Sequence, residues 1–303
     1  MTARLAILYE HPEWFRPLFA ELRRRGIAFT EWRADALSYD LDEREFPDLV
    51  LNRMSPSAAS RGHGHGQFAV RDFLAFLDSR KVAVVNGATA YEYEISKVRQ
   101  HALFQRVGAR TPRTKVVNHA SLLTNACEGL TFPILVKPNC GGAGMGIRRF
   151  DSAAELAAGA DSVNFGCDHT VHAQEFVATR DGSCYRIEVL DGEVLYCVRI
   201  QREGQGFNLC PADICSSAAK PKFTRCYPLP EAAAIAVSVA RLGKLDVCGV
   251  EYMVDHRTGE PVFYDLNALS NFVANAAEIL PFDPTARFVD YLERRLAALG
   301  RIY

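Results

Sequence analysis

The sequence predicts a mixed α/β protein built from more than one domain. Three observations support this fold class. Apolar runs typical of strands alternate with helical stripes through about the first 88 residues, a glycine-rich loop follows an apolar strand near the middle, and strands with period-two alternation follow from about residue 179. A chain of 303 residues is long enough for two or three domains with a substantial core.

The first domain is predicted over residues 1–88 as a small parallel α/β unit. The run RLAILY is typical of a strand, and RPLFAELRRRG places Leu18, Phe19 and Leu22 on one helical face before a glycine. A strand in DLVLNRM leads into SPSAASRGHGHG, whose glycine and proline content predicts a loop. A helix in FAVRDFLAFLDSR and a strand in VAVVNG complete the unit. Strands that alternate with helices favour a parallel sheet.

Two further lobes are predicted behind this domain. Residues 89–178 carry a linker helix from about Ser96 to Val107 and a central lobe of strands and helices around the glycine-rich loop. Residues 179–303 carry alternating strands, such as EVLYCVRIQ, and end in the helix ARFVDYLERRLAAL. The apolar stripe of this helix is Phe288, Leu292, Leu296 and Leu299.

Composition argues against several classes of partner. Thirty-five basic residues nearly cancel thirty-six acidic ones, so no overall field favours nucleic acid or an anionic membrane surface. No apolar run reaches the ~18 residues of a membrane-spanning helix, and the first residues do not resemble a signal peptide. None of the nine cysteines forms a C-x-x-C pair or a zinc-finger spacing with histidines. We therefore expect a cytoplasmic protein that binds neither nucleic acid nor membranes.

The stretch ILVKPNCGGAGMGI indicates a loop that approaches an anion. Walker A requires G-x-x-x-x-G-K-[ST], but no lysine follows these glycines, and G-x-G-x-x-G fails because Ile147 stands where the last glycine would be. What remains is a strand ending in Lys137 and Pro138, a turn rich in glycine and a second strand. Glycines let backbone N–H groups close around phosphate oxygens, and the lysine adds a positive charge. A flexible hairpin with an ordinary surface lysine is the alternative.

A hairpin is predicted near the end of the chain, in CGVEYMVDHRTGEPVFYDLNAL, with its turn at DHRTGEP. A turn centred in this segment pairs Val254 with Val262 and Glu251 with Asp265, and strand alternation puts Asn267 on the same face as Asp265. Two carboxylates and one amide oxygen suit Mg²⁺, which shares its coordination shell with water and phosphates. The alternative is a solvated polar face. Apolar neighbours indicate instead a largely buried hairpin, in which carboxylates without a cation are costly.

Five motifs, taken in order, make the chain similar to a known family. They are NGATAYEYEISKVRQHALFQRVGARTPRT, FPILVKPNCGGAGMGI, AQEFV, YRIEVLDGEVLYCVRI and VCGVEYMVDHRTGEPVFYDLNAL. Over nearly its full length the chain resembles the ATP-grasp superfamily and, within it, the RimK-like carboxylate-amine ligases. The resemblance implies an ATP-grasp fold behind a Rossmann-like pre-ATP-grasp domain, with ATP between the central and C-terminal lobes.

The resemblance assigns residues to the nucleotide phosphates. Lys97, in ISKVRQ, and Lys137, in LVKP, resemble the two lysines that contact these phosphates. The glycine-rich loop resembles the mobile flap that covers them. The glycines of this flap are Gly141, Gly142, Gly144 and Gly146.

The base and metal sites follow from the same resemblance. QEFV is similar to the hinge that recognises adenine, and it would line the base pocket with Gln174, Glu175 and Val177. The magnesium ligands of the family coincide with the three residues that the hairpin register brings together, which are Glu251, Asp265 and Asn267. The implied cofactors are ATP and Mg²⁺, with Mn²⁺ as a substitute metal.

Arginines are assigned to the reacting groups. Arg186 and Arg199 match arginines that the family places near the transferred phosphate and the acyl substrate, a role suited to a guanidinium. For Arg199 an exposed strand position is the alternative. Arg53, in LNRMSPS, and Asn208 are assigned to the substrate side by resemblance.

Three departures from the family pattern bear on these assignments. Cys184 stands two places before Arg186, where relatives often have an acidic residue, which puts the ribose contacts in doubt. Asp265 replaces the usual glutamate of the last metal motif, and DLNALSNF lacks the proline that commonly follows the asparagine. We expect these changes to alter substrate geometry and to leave catalysis in place.

The implied function is an ATP-dependent ligase. A substrate carboxylate would attack the γ-phosphate to give an acyl phosphate and ADP, and an amine would then displace phosphate to leave an amide. Two alternatives remain: a non-catalytic ATP-binding regulatory protein, and an ATP-grasp enzyme that passes the acyl phosphate to a non-amine acceptor.

The substrate pair is less defined by the sequence. The resemblance implies an amino acid or peptide, or else a protein or carrier tail, and a homo-oligomer, either dimer or tetramer. The N-terminal segment SPSAASRGHGHG is predicted to set the choice of substrate. Its His63 and His65 are either substrate contacts or incidental members of a glycine-rich loop.

Overall fold

The structure, a computed structural model, describes residues 4–142, 144–201, 221–273 and 276–300. Within these ranges the chain forms three β-sheets with helices packed against them, which confirms the predicted mixed α/β class. In the described part of the chain, no helix has both the length and the apolar character needed to cross a bilayer.

The N-terminal sheet is parallel, as the alternation of strands and helices predicts. Its strands are β1 (Leu5–Tyr9), β2 (Phe29–Arg33), β3 (Leu49–Arg53) and β4 (Ala83–Val85). Their spatial order is β2-β1-β3-β4, and every pairing is parallel. The central strands β1 and β3 are buried at every position, which explains the apolar run of β1 and the apolar start of β3. Strand β2 lies at the edge, has no buried position and carries three polar residues among five, so its sequence gives a weaker strand signal.

The helices of this domain include a correction to the sequence-based prediction. Helix α1 spans Arg16–Arg24, and helix α2 spans Gly64–Ser79. The segment predicted as a loop is a 3₁₀ helix over Pro56–Arg61 followed by the first turn of α2, so the loop prediction was wrong. A Cβ on Gly66 would lie 3.0 Å from the carbonyl oxygen of Ala34, so this glycine permits close helix packing and does not mark a turn.

The linker and central lobe follow. Helix α3 spans Ala88–Glu94 and α4 spans Lys97–Arg106, which matches the helix predicted from about Ser96 to Val107. The central sheet is antiparallel, in the order β5-β8-β6-β7, with helices α5 and α6 packed on it. The bounds are β5 (Thr114–Val117), α5 (Ala120–Ala126), β6 (Ile134–Pro138), β7 (Arg148–Phe150), α6 (Ala153–Gly159) and β8 (Val171–Glu175).

The C-terminal sheet is also antiparallel, in the order β11-β10-β9-β12-β13. Its strands are β9 (Cys184–Leu190), β10 (Glu193–Gln201), β11 (Lys222–Cys226), β12 (Val247–Val254) and β13 (Pro261–Asn267). The helices of this region are α7 (Pro230–Gly243), α8 (Ala276–Ile279) and α9 (Pro284–Leu299).

The hairpin register was predicted correctly near the candidate metal site and wrongly near the turn. Glu251 pairs with Asp265 as predicted, but Val254 pairs with Pro261 and not with Val262. The cause is a β-bulge: Tyr264 is an extra residue in β13, between the partners of two successive residues of β12. An extra residue shifts the pairing of everything between it and the turn by one position.

The last helix connects the two ends of the chain. The predicted stripe on α9 is present, with Phe288 and Leu292 fully buried and Leu296 and Leu299 packed against them. These side chains share one core with α1, with strands β1 and β3, and with strands β9 and β10. The C-terminal helix therefore holds the N-terminal sheet against the C-terminal sheet.

Candidate active site

Most of the residues predicted to be functional line one cleft of about 760 Å³. It is lined by side chains from the central sheet, the C-terminal sheet and the N-terminal domain. The predicted residues that line it are Lys97, Lys137, Gly141, Gly142, Gly144, Gln174, Glu175, Val177, Arg186, Glu251, Asp265 and Asn267. Three predicted residues, Gly146, Arg53 and Arg199, are not part of its lining, and Asn208 lies outside the described residues.

The two lysines are brought together by a single asparagine. Lys137 lies on β6, and Asn139 follows the end of that strand. The Asn139 side-chain oxygen accepts a hydrogen bond from the backbone N–H of Val98 at 2.9 Å, in the first turn of α4. The backbone N–H of Lys97 donates to the carbonyl oxygen of Asn139 at 3.2 Å. The end of β6 therefore caps the helix that begins with Lys97.

The two lysines differ in their electrostatic surroundings. The Lys97 ammonium donates to Asp265 Oδ1 at 2.7 Å, and although burial opposes it, this carboxylate raises the pKa of Lys97. Lys137 donates to the carbonyl oxygen of Tyr264 at 3.3 Å and forms no salt bridge with any described residue. Burial, and then the charge of Lys97, lower the pKa of Lys137 to about 8. A buried ammonium without a carboxylate partner favours an anionic ligand.

Glu251, Asp265 and Asn267 meet at one end of the hairpin. Glu251 is 3% exposed and accepts hydrogen bonds from the Tyr264 hydroxyl at 2.7 Å and from Asn267 Nδ2 at 3.2 Å. Burial and the neighbouring Asp265 charge raise the pKa of Glu251, against the opposite effect of Arg186. Burial also tends to raise the pKa of Asp265. The positive charges of Lys97 and Lys137 outweigh this effect, so the pKa of the Asp265 carboxyl group is lowered.

These three residues fit a hard divalent cation. Their donors are carboxylate and amide oxygens, and a cation would relieve the repulsion between the buried carboxylate of Glu251 and the half-buried carboxylate of Asp265. No group of three or more His, Cys, Asp or Glu side chains suited to a metal occurs in the described ranges. The three residues would therefore fill only part of the shell, and water or phosphate oxygens would have to complete it.

Arg186 is the most enclosed cation of the site. It is 1% exposed and donates from Nε to Glu188 at 2.6 Å, from NH1 to Glu251 at 3.0 Å and from NH2 to the Ser270 hydroxyl at 2.8 Å. Its guanidinium lies against the backbone of Gly249, where a Cβ would be 2.4 Å from NH2. Only glycine leaves room for this contact, so Arg186 reaches Glu251 across the face of β12.

The other arginines are placed differently. Arg199 is half-buried on β10 and donates to the Ser183 hydroxyl at 2.8 Å and to the Asp181 carboxylate. Arg53 is 4% exposed and lies between the rings of Phe15 and Phe288, with its carbon Cζ 5.6 Å and 5.3 Å from the two ring centroids. Neither arginine reaches the cleft directly, so any effect on substrate would act through the residues they bond.

The predicted adenine hinge forms the other end of the cleft. The side chains of Gln174 and Glu175 are engaged locally, with Thr114 Oγ1 and with the backbone N–H of Thr131. Val177 is buried, and Phe176 and Met253 line the cleft beside it. An apolar slot of this kind suits a flat base.

The glycine-rich loop touches the N-terminal domain. A Cβ on Gly142 would lie 3.3 Å from the Cβ of Ser57, and Gly146 has φ +73° with a Cβ position 2.9 Å from Pro138. His63 is bonded to Glu10 at 2.6 Å and His65 lies in the first turn of α2, and neither lines the cleft. Ser57, which follows the strand β3, therefore brings the SPSAASRGHGHG segment into contact with the loop at Gly142.

His172 was not identified from the sequence. It lies on β8, is 1% exposed, and its Nε2 lies 3.2 Å from the same Asn139 oxygen that caps α4. Burial, together with the charges of Lys137 and Lys97, lowers the pKa of His172 to about 2. The histidine is thus neutral at neutral pH and supports the lysine pair through Asn139. Only the strand pairing of β6 with β8 brings these residues together.

We expect acid to destabilise the protein partly through His172. An unfolded chain binds a proton at this histidine below pH ~6.5, whereas the folded chain does not until about pH 2, so stability falls as pH drops through this window. Between pH 7.5 and 5.0 the wild type should lose about 2 kcal/mol more than His172→Gln, measured by urea unfolding. His65→Gln, at an exposed position, should behave as the wild type, and an equal pH slope for His172→Gln would contradict the assignment.

Comparison with known proteins identifies similarity over the part of the chain that contains most of the candidate site. The family model for RimK-like ATP-grasp domains matches residues 95–277. Among curated proteins, the D-alanine–D-alanine ligase of Hydrogenovibrio crunogenus is 31% identical over 132 residues, which is 43% of this chain and 40% of that enzyme. The D-alanine–D-alanine ligase of Haemophilus ducreyi is 25% identical over 189 residues, 60% of this chain and 61% of that enzyme. The alignments thus cover less than two thirds of these relatives.

Solved structures match over nearly the full length. The ATP-grasp ligase PsnB, complexed with a minimal precursor, superposes with a TM-score of 0.70 at 18% identity and covers 97% of this chain and 100% of that chain. D-alanine–D-alanine ligase from Bacillus anthracis superposes with a TM-score of 0.69 at 16% identity. The match covers 99% of this chain and 100% of that chain. At these identities the likeness shows a shared fold, which is the ATP-grasp fold expected from the motifs.

Proposed function

The chain belongs to the family of RimK-like ATP-grasp domains, and we propose that it is an ATP-dependent carboxylate-amine ligase. One observation carries the proposal: a single cleft places two lysines, the half-buried Lys97 and the buried Lys137, beside two carboxylates, the buried Glu251 and the half-buried Asp265. Two such sets of opposite charge suit a nucleotide polyphosphate that arrives with a divalent cation. The arrangement matches the requirements of phosphoryl transfer from ATP.

Each group of residues in the cleft has its own proposed role in the reaction. Lys97 and Lys137 would bind the phosphates, and the glycine-rich loop would cover them and exclude water. Glu251, Asp265 and Asn267 would hold Mg²⁺, which supplies neutralising charge to the phosphates. A substrate carboxylate oxygen attacks the γ-phosphorus, ADP leaves, and an amine then displaces phosphate from the acyl carbon to form an amide. Positioning and charge neutralisation supply the rate enhancement, without a covalent protein nucleophile.

An amino acid or a peptide is the proposed source of the carboxylate. Matched proteins include D-alanine–D-alanine ligases and a ligase solved with a minimal precursor. The part of the cleft next to the N-terminal domain is lined by Trp14, Ser55, Ser57 and Phe272, which suits a small organic substrate with polar groups.

The test is a product screen by mass spectrometry. Purified protein with ATP and Mg²⁺ is incubated with pooled amino acids and short peptides, and ADP and new masses are recorded. We expect ADP together with a product equal to two pool members minus water. Lys137→Met should lower the rate by roughly 10²-fold, because it removes a cation from the transferring phosphates. Lys222→Met, at an exposed position on β11, is the matched control.

The alternatives predict other outcomes of the same screen. A regulatory ATP-binding protein would show a higher melting temperature with ATP but no ADP from any pool. An enzyme with a non-amine acceptor would form ADP and a product whose new bond is cleaved by hydroxylamine, as an ester or thioester is. Either result would overturn the ligase proposal.

A further inference from the structure

The segment that follows the metal hairpin, residues 268–272, is held by side chains from distant parts of the chain. Arg53, on β3 of the N-terminal sheet, donates from NH2 to the carbonyl oxygen of Ser270 at 2.6 Å and to Asn271 Oδ1 at 2.7 Å. Arg186 donates to the Ser270 hydroxyl from the other side. Two buried arginines thus hold Ser270 and Asn271 in place.

The bond from Arg53 determines which way the Asn271 amide points. A guanidinium has only donors, so the atom that faces it must be the amide oxygen and not the amide nitrogen. Arg53 itself cannot turn away, since it is 4% exposed and packed between the rings of Phe15 and Phe288. The Nδ2 group of Asn271 therefore points away from Arg53.

The cleft lies on that other side. Asn271 and Ser270 both line it, in the same cavity as Lys97 and Asn267. In the described part of the chain, Asn271 Nδ2 has no hydrogen-bond partner. An amide donor on the wall of a reaction cleft, fixed in orientation and without an acceptor among the described residues, is suited to a ligand oxygen.

The positive charge of Arg53, next to Asn271, favours an anionic ligand. Arg53 forms no salt bridge with a described residue, its Nε and NH1 have no hydrogen-bond partner there, and Glu94 and Glu188 act on it only through space. Burial lowers the pKa of Arg53 to about 10, which still leaves it charged at neutral pH. Its positive charge polarises the amide it contacts, which strengthens Nδ2 as a donor.

We propose that Asn271, oriented by Arg53, is a specificity-determining residue whose Nδ2 group donates to a carboxylate oxygen of the acyl substrate. The inference rests on the proposed ligase function for the identity of that substrate. Arg53 is then a positioning residue that acts through Asn271 and not a direct substrate contact.

The binding test uses the side-chain amide itself. Wild-type protein labelled with ¹⁵N and saturated with ADP and Mg²⁺ is titrated with sodium acetate, the simplest carboxylate, and separately with sodium phosphate and sodium chloride. The Asn271 amide signal is identified by its absence from Asn271→Asp, with Asn271→Ser as a second variant. We expect a saturable shift with acetate alone. No shift with acetate, or a shift only with phosphate, would overturn the proposal.

Kinetics separate this proposal from the function it rests on. With the acyl substrate found in the product screen, Asn271→Asp should lower kcat/KM for that substrate by roughly 10- to 100-fold and leave KM for ATP unchanged. Asn118→Asp makes the same charge change at an exposed position and should have no effect. If wild type forms product and Asn271→Asp matches it, the carboxylate contact is wrong and the ligase stands. If the wild type forms no product but acetate shifts the Asn271 amide signal, the carboxylate contact is supported and the proposed ligase function is contradicted.

Discussion

Arg186→Met is expected to lower the free energy of unfolding by about 3–5 kcal/mol, because it leaves buried carboxylates without their cation. Glu188 and Glu251 are 0% and 3% exposed, and each accepts a hydrogen bond from the Arg186 guanidinium. Methionine matches much of the arginine volume, so packing is largely kept and the loss reports the charge. Loss of the Arg186 charge should raise the pKa of Glu251 further, so the destabilisation should be smaller at pH 5 than at pH 8.

Arg199→Met provides the matched control on the adjacent strand. Arg199 and its partner Asp181 have side chains 33% and 47% exposed, and an ion pair as exposed as this contributes about 0–1 kcal/mol. Urea unfolding followed by far-ultraviolet circular dichroism compares the two variants. An equal effect of the two substitutions would show that the carboxylates around Arg186 find another partner, and would remove the basis for its structural role.

The sequence predicted the parts of the site that depend on short-range regularities. Strand alternation on the two sides of one turn predicted the pairing of Glu251 with Asp265. Residues nearer the turn, such as Val254, pair one position away from the prediction, and the extra residue Tyr264 makes up this difference before Glu251 is reached. The two carboxylates therefore meet because of a β-bulge that no residue pattern in the hairpin predicts. Likewise, helix α2 begins in a segment rich in glycine, where the packing of Gly66 on Ala34 outweighs its low helix propensity.

Contacts between distant segments could not be predicted in this way. The approach of Arg186 to Glu251 requires Gly249 on the paired strand, which is a property of the register between β9 and β12. The contact of Arg53 with Asn271 joins residues 218 positions apart and depends on how the first sheet packs against the last lobe. Resemblance to the family identified Arg186 and Arg53 but not the residues that they contact. A family motif indicates which positions are functional, and it does not indicate their contacts in the folded chain.

Asp265→Asn is expected to reduce the rate of product formation on the order of 10³-fold, since it removes one of two charges proposed to hold Mg²⁺ against the phosphates. The substitution keeps the shape of the side chain and one oxygen that can face Lys97, whose ammonium now lies 2.7 Å from Asp265 Oδ1. Folding should therefore change less than metal binding. The metal itself can be measured without turnover, by the paramagnetic resonance signal of Mn²⁺ added with ADP.

The two readouts of this variant distinguish a metal ligand from a partner of Lys97. If Asp265 holds the metal, Mn²⁺ affinity falls in Asp265→Asn, and raising the metal concentration restores part of the activity. If Asp265 serves only to neutralise Lys97, Mn²⁺ affinity stays at the wild-type value while ATP binding changes. Asp161→Asn makes the same chemical change at an exposed site remote from the cleft and should alter neither quantity. Because Asp265 and Glu251 repel each other in the absence of a cation, removing one charge should also make the protein less dependent on metal for its stability.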